Sequence, residues 1–332
     1  MKRVLITGGL GYVGSHCCVA LLDAGYEVCV VDNLSSSTLD VLSLVKKITC
    51  KSITFHESDI NNLAHLIDIL NQYQPDVVIH AAGLKSVSES ATDPLRYYET
   101  NVMGTINLLK ALDASECKKI VFSSSATVYG MPEFVPIDES HRLQPESNYG
   151  RTKLFAEQII KDWVASSESR SAISLRYFNP IGAHDSGLIY DNPLSEPTNI
   201  MPLICKVAVG EMARLSIFGN DYDSCDGTGE RDYIHIEDIA SAHLAAVDKV
   251  FELSFEAINL STGRSTSVLE LIKAFEIENG KKIPLIIKER RNGDVAISFA
   301  ANDKAERILD WKPIKKLSCM VSSAIKPYLS EK

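Results

Sequence analysis

This chain lacks a surplus of positive charge: 34 Lys and Arg stand against 43 Asp and Glu, a formal net charge of −9. That argues against the basic footprint of a nucleic-acid binder, so any anionic ligand must be held by local arginines or backbone N–H groups. Metal-ligand spacing is missing as well. The eight cysteines (17, 18, 29, 50, 117, 205, 225 and 319) form no C-x-x-C, and the eight histidines form no H-x-x-x-H, so no metal is expected. Cys17 and Cys29 lie on apolar faces and read as small core residues, in keeping with reduced, cytoplasmic thiols. No apolar stretch reaches the roughly 18 residues of a membrane span. The basic Lys2-Arg3 is followed by an apolar run that stops at Thr7, too short for a signal peptide. The expected protein is cytoplasmic, with neither a nucleic-acid nor a membrane partner.

What is present is a turn built for a dinucleotide. The strand-like Val4–Thr7 runs into Gly8-x-x-Gly11-x-x-Gly14, and a helical pattern follows at once. The first glycine permits the tight turn, the second lets the backbone approach a pyrophosphate, and the third lets the helix pack close to the strand. The helix N-terminus then directs N–H groups and its positive dipole end at the phosphates. Tyr12 and Val13 fall at that N-terminus. The next strand ends in Asp32, 18 residues past Gly14, the spacing of an acid that binds the adenine ribose. No Lys or Arg occurs from Asn33 to Val45 to neutralise a 2′-phosphate, which favours NAD over NADP. Asp59-Ile60 closes another strand and is placed to flank the adenine. Ala81-Ala82-Gly83 ends a fourth, where small residues let backbone lie against the cofactor.

The 332 residues, 45% of them apolar, are enough for a sizeable core. Short strands at Val4–Thr7, Val28–Val31, Ile53–His56, Val77–His80, Ile120–Ser124 and Ile173–Arg176 alternate with amphipathic stretches near 13–24, 61–73, 95–115 and 149–165. Such alternation predicts an α/β fold, a doubly wound parallel (Rossmann) sheet with ligands at the carboxyl ends of its strands. The expected division is an NAD-binding domain over 1–180 and a smaller α/β substrate domain over 181–332. The chain is expected to return to the first domain around 236–262. Residues 184–202, rich in Asp, Pro, Asn, Ser and Gly, predict a long loop. Helices are expected at Met201–Val209, Ile236–Val250 and Val268–Glu278.

Tyr149-Gly-Arg-Thr-Lys153 opens the last long helix of the first half. Positions i and i+4 share a face, so the phenol and ammonium point the same way. An ammonium nearby is expected to lower the phenol pKa and so provide a general base for an alcohol. Ser123-Ser-Ser125, ending a strand 24 residues earlier, offers a hydroxyl to the same oxygen.

Together with these, the segments Asp32-Asn-Leu34, Ala82-Gly-Leu-Lys85, Ser123-Ser-Ser-Ala-Thr-Val-Tyr-Gly130, Arg176-Tyr-Phe-Asn-Pro180, Asn199-x-Met-Pro202, Phe218-Gly-Asn-Asp-Tyr222 and Gly227-Thr-Gly-x-Arg-Asp-Tyr-Ile-His235 resemble the UDP-glucose (UDP-galactose) 4-epimerases. Those enzymes are extended short-chain dehydrogenase/reductases, and the resemblance covers essentially the whole chain. It implies an isomerase that holds NAD and a UDP-sugar, with Ser125, Tyr149 and Lys153 as the catalytic triad. Lys153 would also bind the nicotinamide ribose, and Lys85 and Phe178 would line the cofactor. Asn179 and Asn199 would meet the sugar nucleotide, with Lys85 also on that side. Phe218 would border the uracil, and Arg231 and Arg291 would grip the diphosphate, with Asp294 beside them. Ser298 would lie at the sugar end, where relatives restricted to glucose and galactose nucleotides often carry Tyr, so N-acetylated hexoses are also expected as substrates. Thr100 replaces an Asn common at one cofactor contact, and Asn101 follows it. The resemblance also implies a homodimer, for which 97–113 and 149–165 are the candidate helices.

Two rivals share the scaffold. Related dehydratases carry an Asp-Glu pair just after the active-site hydroxyl, where this chain has Ala126-Thr127; another oxidoreductase would accumulate NADH. A non-enzymatic NAD-binding regulator is the second rival, and such proteins usually lose the Tyr or the Lys.

Overall fold

A computed structural model describes residues 2–194, 196–291 and 294–330. Ser195, inside the expected loop, and the last two residues of the expected second domain lie outside them. Strands and helices alternate from the start: β1 Arg3–Thr7, α1 Tyr12–Asp23, β2 Glu27–Asp32, α2 Asp40–Thr49, β3 Thr54–Glu57, α3 Leu63–Tyr73 and β4 Val77–His80. Then come α4 Val87–Thr92, α5 Pro94–Tyr97, a π-helical turn Tyr98–Met103 and α6 Gly104–Asp113. β5 Lys119–Ser123, α7 Asn148–Ala165 and β6 Ser171–Tyr177 follow. Beyond them are β7 Asn179–Ile181, α8 Ile200–Ala208, β8 Leu215–Phe218, β9 Glu230–Arg231, β10 Tyr233–His235, α9 Ile236–Lys249 and β11 Phe255–Leu260. The chain closes with β12 Thr266–Ser267, α10 Val268–Asn279, β13 Leu285–Lys288, β14 Ile297–Ser298, α11 Asp303–Leu309 and α12 Leu317–Ser330.

The main sheet is parallel, in the order β11-β6-β5-β4-β1-β2-β3. The order reverses between β1 and β4, and a crevice for a ligand opens at that switch point. Because side chains alternate along a strand, Val4 and Ile6 pack on one face of β1 and Leu5 on the other. The first face is covered by α1, α2 and α9, which supply Cys17, Val45 and Ile239. The second is covered by α3, α6 and α7, which supply Leu66, Leu108 and Ile160. Both faces are buried, as a parallel sheet requires. β11 pairs with β6 at the edge of this sheet, and α9 packs on α1. A second core joins α8, α10, α12 and β8 around Ile204, Phe275 and Val321.

Two local readings are corrected. The stretch 95–115 is not one helix: Pro94 starts the four-residue α5, and a wider π turn precedes α6. Such turns interrupt the regular i→i−4 ladder and redirect a side chain. Here the redirected residue is Asn101, which is buried and reaches out of the helix. The loop expected over 184–202 gives way to α8 at Ile200, so its last three residues are helical.

Candidate active site

The glycine turn has the shape its spacing demands. Gly8 sits at φ +69°, and a Cβ there would lie 2.6 Å from the Cα of Ala82. A Cβ on Gly14 would lie 2.2 Å from the carbonyl oxygen of Gly8. Gly11 is different: only that same oxygen, at 3.5 Å, comes near its Cβ position, so its missing side chain leaves room for a ligand. Gly11 is also the N-cap of α1 and no side chain caps it. The helix N-terminus is thus left to an anion. Val13, in the first turn, packs partly against the sheet core. Asp32 is held in place, its Oδ1 accepting from the N–H of Leu34 (2.9 Å) and the hydroxyl of Ser37 (2.9 Å), its Oδ2 from the N–H of Leu10 (3.0 Å). Asn33 donates to Asp59 at 2.7 Å, which joins the ends of β2 and β3. Ile60 fills the space over Gly104. These residues fit NAD: a pyrophosphate path over Gly11 and a fixed carboxylate for the ribose.

On the other side of the switch point, Asn101 secures the loop after β4. Its amide oxygen accepts from the N–H of Leu84 (2.8 Å), and its amide nitrogen donates to Leu84 O (3.0 Å) and Thr152 Oγ1 (2.9 Å). A Cβ on Gly83 would sit 3.0 Å from Asn101 Oδ1 and 3.7 Å from Lys153 Nζ. Thr100 is half-buried in the same π turn.

Ser125, Tyr149 and Lys153 meet at the carboxyl end of β5. Ser147 caps α7, its hydroxyl accepting from the N–H of Gly150 at 3.0 Å, and so fixes where the helix starts. Ser125 Oγ accepts from the hydroxyl of Thr127 (3.0 Å) and hydrogen-bonds Tyr149. Lys153 is buried and donates to Ser123 O at 2.8 Å. The expected lowering of the phenol pKa is not what the protein alone produces. Burial pushes Tyr149 up to about 12, and the bond to Ser125 only partly offsets it. The reason is geometric, because the ammonium is directed at the Ser123 carbonyl. Burial also draws Lys153 down to about 8, against the nearby Glu157 carboxylate, which raises it.

Glu157 is the next residue on the same helix face, four after Lys153. Its carboxylate takes Arg176 in a fork, Nε at 3.0 Å and Nη2 at 2.6 Å, and accepts from the hydroxyl of Ser124. Arg176 also donates to Tyr129 Oη at 3.0 Å, and Tyr129 donates to Asn259 of β11 at 2.6 Å. This network is buried throughout and ties α7 to β6, to β11 and to the residue that follows β5.

The remaining predicted residues fall into separate groups. Phe178 is buried beside Tyr129 and Ala300, and Asn179, exposed, donates its N–H to Asp232 O at 3.0 Å. β14 pairs with β9 so that Ser298 stands opposite Arg231. Arg231 reaches Asp294 at 3.6 Å, and the guanidinium of Arg291 stacks 3.8 Å over the ring of Phe218. Lys85 and Asn199 converge on a residue the motifs did not single out: Asp191 accepts from Lys85 Nζ at 2.9 Å and from Asn199 Nδ2 at 2.7 Å.

A family model described as "NAD dependent epimerase/dehydratase family" matches residues 4–261. The chain belongs to that family. It is 48% identical to a UDP-glucose 4-epimerase of Bacillus subtilis (strain 168) over 322 residues, 97% of this chain and 95% of the relative. Among solved structures it superposes with a TM-score of 0.98, at 42% identity, on a UDP-glucose-4-epimerase from Stenotrophomonas maltophila with bound NAD and formylated UDP-arabinopyranose. That match covers 100% of this chain and 99% of the other. A UDP-glucose 4-epimerase from Bifidobacterium longum in complex with NAD+ and UDP gives 0.96 at 42% identity, covering 99% and 98%.

Within the NAD dependent epimerase/dehydratase family this site has a distinguishing void. Where an elimination needs an acid beside the hydroxyl residue, the chain places Ala126 and Thr127, and the Thr127 hydroxyl is spent on Ser125. Glu157, the buried carboxylate of α7, is neutralised by Arg176. The motifs passed over Glu157 and Asp191. Glu157 carried a signal, its i, i+4, i+8 register with Tyr149 and Lys153. Asp191 carried none, since one Asp in a polar loop looks like any other.

Proposed function

We propose that this chain is a UDP-hexose 4-epimerase that interconverts UDP-glucose and UDP-galactose through a 4-keto sugar, with NAD held throughout. The observation that carries the reading is the convergence of Ser125, Tyr149 and Lys153 at the mouth of the glycine-lined crevice, with no acid at Ala126-Thr127. The chemistry NAD supplies when bound is reversible hydride acceptance at C4 of the sugar, together with a positive charge in its oxidised form. Tyr149, as phenolate, takes the proton of the sugar 4-hydroxyl and later returns it. Ser125 hydrogen-bonds the phenol oxygen and orients it. Lys153, buried and fixed by the Ser123 carbonyl, is the residue that would hold the nicotinamide ribose. Asp32, Asn33, Asp59, Ile60, Ala82, Gly83, Lys85, Thr100 and Phe178 frame the cofactor.

The UDP half is gripped by Asn179, Asn199, Phe218, Arg231 and Arg291, with Asp294 orienting Arg231. The keto sugar must turn over while UDP stays fixed, so binding energy belongs on the nucleotide and little on the sugar. The test is direct. Purified enzyme given UDP-glucose should form UDP-galactose by NMR without build-up of NADH, and denaturation should release close to one NAD per chain. Net NADH formation, or release of NADP, would overturn the reading.

No helix among the described residues is long and apolar enough to cross a membrane. We place the enzyme in the cytoplasm as a homodimer. Leu95, Met103 and Phe155 are exposed on the α5, π-turn and α7 surface, and Tyr98 lies 6.1 Å from Phe155, ring to ring. An apolar patch on a pair of neighbouring helices is the self-complementary surface a two-fold dimer needs. A light-scattering mass near the 36.5 kDa of one chain would rule this out.

Ser298 supports a wider substrate range. It is half-buried on β14 against β9, and a serine there leaves volume for a 2-acetamido group. The enzyme is therefore expected to epimerise UDP-N-acetylglucosamine as well. Ser298→Tyr should spare UDP-galactose and lower kcat/KM for the acetylated sugar about 5- to 150-fold, the usual scale of overpacking. Equal loss on both sugars, or no wild-type activity on the acetylated one, would refute this.

A further inference from the structure

Asp191 lies between two loops that the proposed function gives to different ligands. Lys85 follows β4 on the cofactor side, and Asn199 stands just before α8 on the UDP-sugar side. The Asp191 carboxylate is almost closed off from solvent, its side chain 10% exposed, whereas that of Lys85 is 55% exposed. Each oxygen has its own donor: Oδ1 takes the Lys85 ammonium at 2.9 Å, and Oδ2 takes the Asn199 amide at 2.7 Å. The same corner includes the glycine turn. Tyr12 donates to Gly182 O at 2.7 Å, at the start of the segment that carries Asp191, and Lys85 Nζ stands 5.7 Å from the Tyr12 ring centroid. The carboxylate therefore links the loop after β4 to the segment that leads into α8, and the Tyr12 hydroxyl ties the glycine turn to the start of that segment.

We propose that Asp191 is a positioning residue that sets Lys85 and Asn199 together, so that the cofactor-side and substrate-side loops adopt their binding positions as a unit. This rests on the assignment of Lys85 and Asn199 to ligand contacts under the proposed function. The physical argument is the cost of holding two flexible donors. A free lysine and a free asparagine lose rotamer freedom when they meet a ligand. A carboxylate that already holds both has ordered them beforehand, so the ligand meets a preorganised site. Only a group with two acceptors can do this. In an asparagine one acceptor is replaced by an NH2, which would face either the Lys85 ammonium or the Asn199 amide nitrogen, both of them donors.

Asp191→Asn, Asp191→Glu and Asp191→Ala in the NAD-containing enzyme separate this role from a merely structural one. By calorimetry, Asp191→Asn should bind UDP about 10- to 100-fold more weakly, the range for a lost hydrogen bond to a charged group. KM for UDP-galactose should rise by a similar factor and kcat should change little, because the residue does not touch the reacting atoms. Asp191→Glu, which keeps both acceptors, should recover part of the affinity. Unchanged UDP affinity in Asp191→Asn overturns the proposal, as does Asp191→Glu binding no better than Asp191→Ala. UDP binding needs no turnover, so the two readings fail separately. Wild-type enzyme without epimerase activity but with weakened UDP binding in Asp191→Asn refutes the reaction and supports the positioning role.

Discussion

Tyr149→Phe is expected to lower kcat by about 10² to 10⁴ while UDP affinity stays at the wild-type value. Under the proposed function the phenol oxygen exchanges a proton with the sugar hydroxyl, and phenylalanine fills the same buried space without it. The rest of α7 should not notice, since the contacts that seat Tyr149 in the helix are backbone ones, such as its N–H to Ser90 Oγ at 3.2 Å. The pH dependence gives a second reading. Burial holds the phenol up at about 12 in the protein alone, so the base form is the minority species at neutral pH. Wild-type activity should therefore rise with pH as the phenolate population grows, and the Phe variant should lose that rising limb. A variant that keeps more than about a tenth of wild-type kcat, far above the loss expected of a general base, would show that the proton goes elsewhere.

Arg176→Met is expected to destabilise the fold by about 3–5 kcal/mol, the cost of leaving one partner of a buried ion pair uncompensated. Arg176 and Glu157 are almost inaccessible, with side chains 5% and 3% exposed. With the guanidinium gone, the Glu157 carboxylate keeps the Ser124 hydroxyl as its hydrogen-bond donor and the Lys153 ammonium as a nearby charge, without the fork that neutralised it. Tyr129 loses its donor as well. For a chain of this size the thermal midpoint should fall by roughly 4–7 °C. Glu157→Leu combined with Arg176→Met removes both charges and should recover much of the loss, because apolar residues of similar volume replace a buried pair at little cost. A midpoint within about 2 °C of wild type in the single variant would mean that water already reaches the pair. The double variant also bears on Lys153. Glu157 raises its pKa against burial, so without that carboxylate the ammonium is lost at lower pH.

The local motifs were legible because their chemistry is local. Gly8, Gly11 and Gly14 must be glycine for reasons found within a few residues: the φ of +69° at Gly8 and the contact that any Cβ on Gly14 would make with Gly8 O. Asp32 could be placed by counting, since β1, α1 and β2 form one unit of nearly fixed length. Tyr149 and Lys153 share a helix face whatever the helix packs against. The alternation of strands and amphipathic stretches likewise announced a parallel sheet, because burial on both faces leaves its pattern in each strand.

Other features depend on residues that meet only after folding. The π turn that frees Asn101 is stabilised by Leu84 and Thr152, and neither is near it in sequence. The direction of the Lys153 ammonium depends on the Ser123 carbonyl at the end of β5, which is why burial rather than a neighbouring charge governs Tyr149 in the protein alone. Asp191 holds Lys85 across 106 positions. By itself, then, the sequence determined the sheet, the glycine cradle, the position of Asp32 at the end of β2 and the Tyr-Lys face, since each follows from short-range sterics and periodicity. Only the tertiary structure decided which donor each buried charge would find. Such pairings are set by the approach of distant segments, and the energy of a charge in a low-dielectric interior depends on the few ångströms around it.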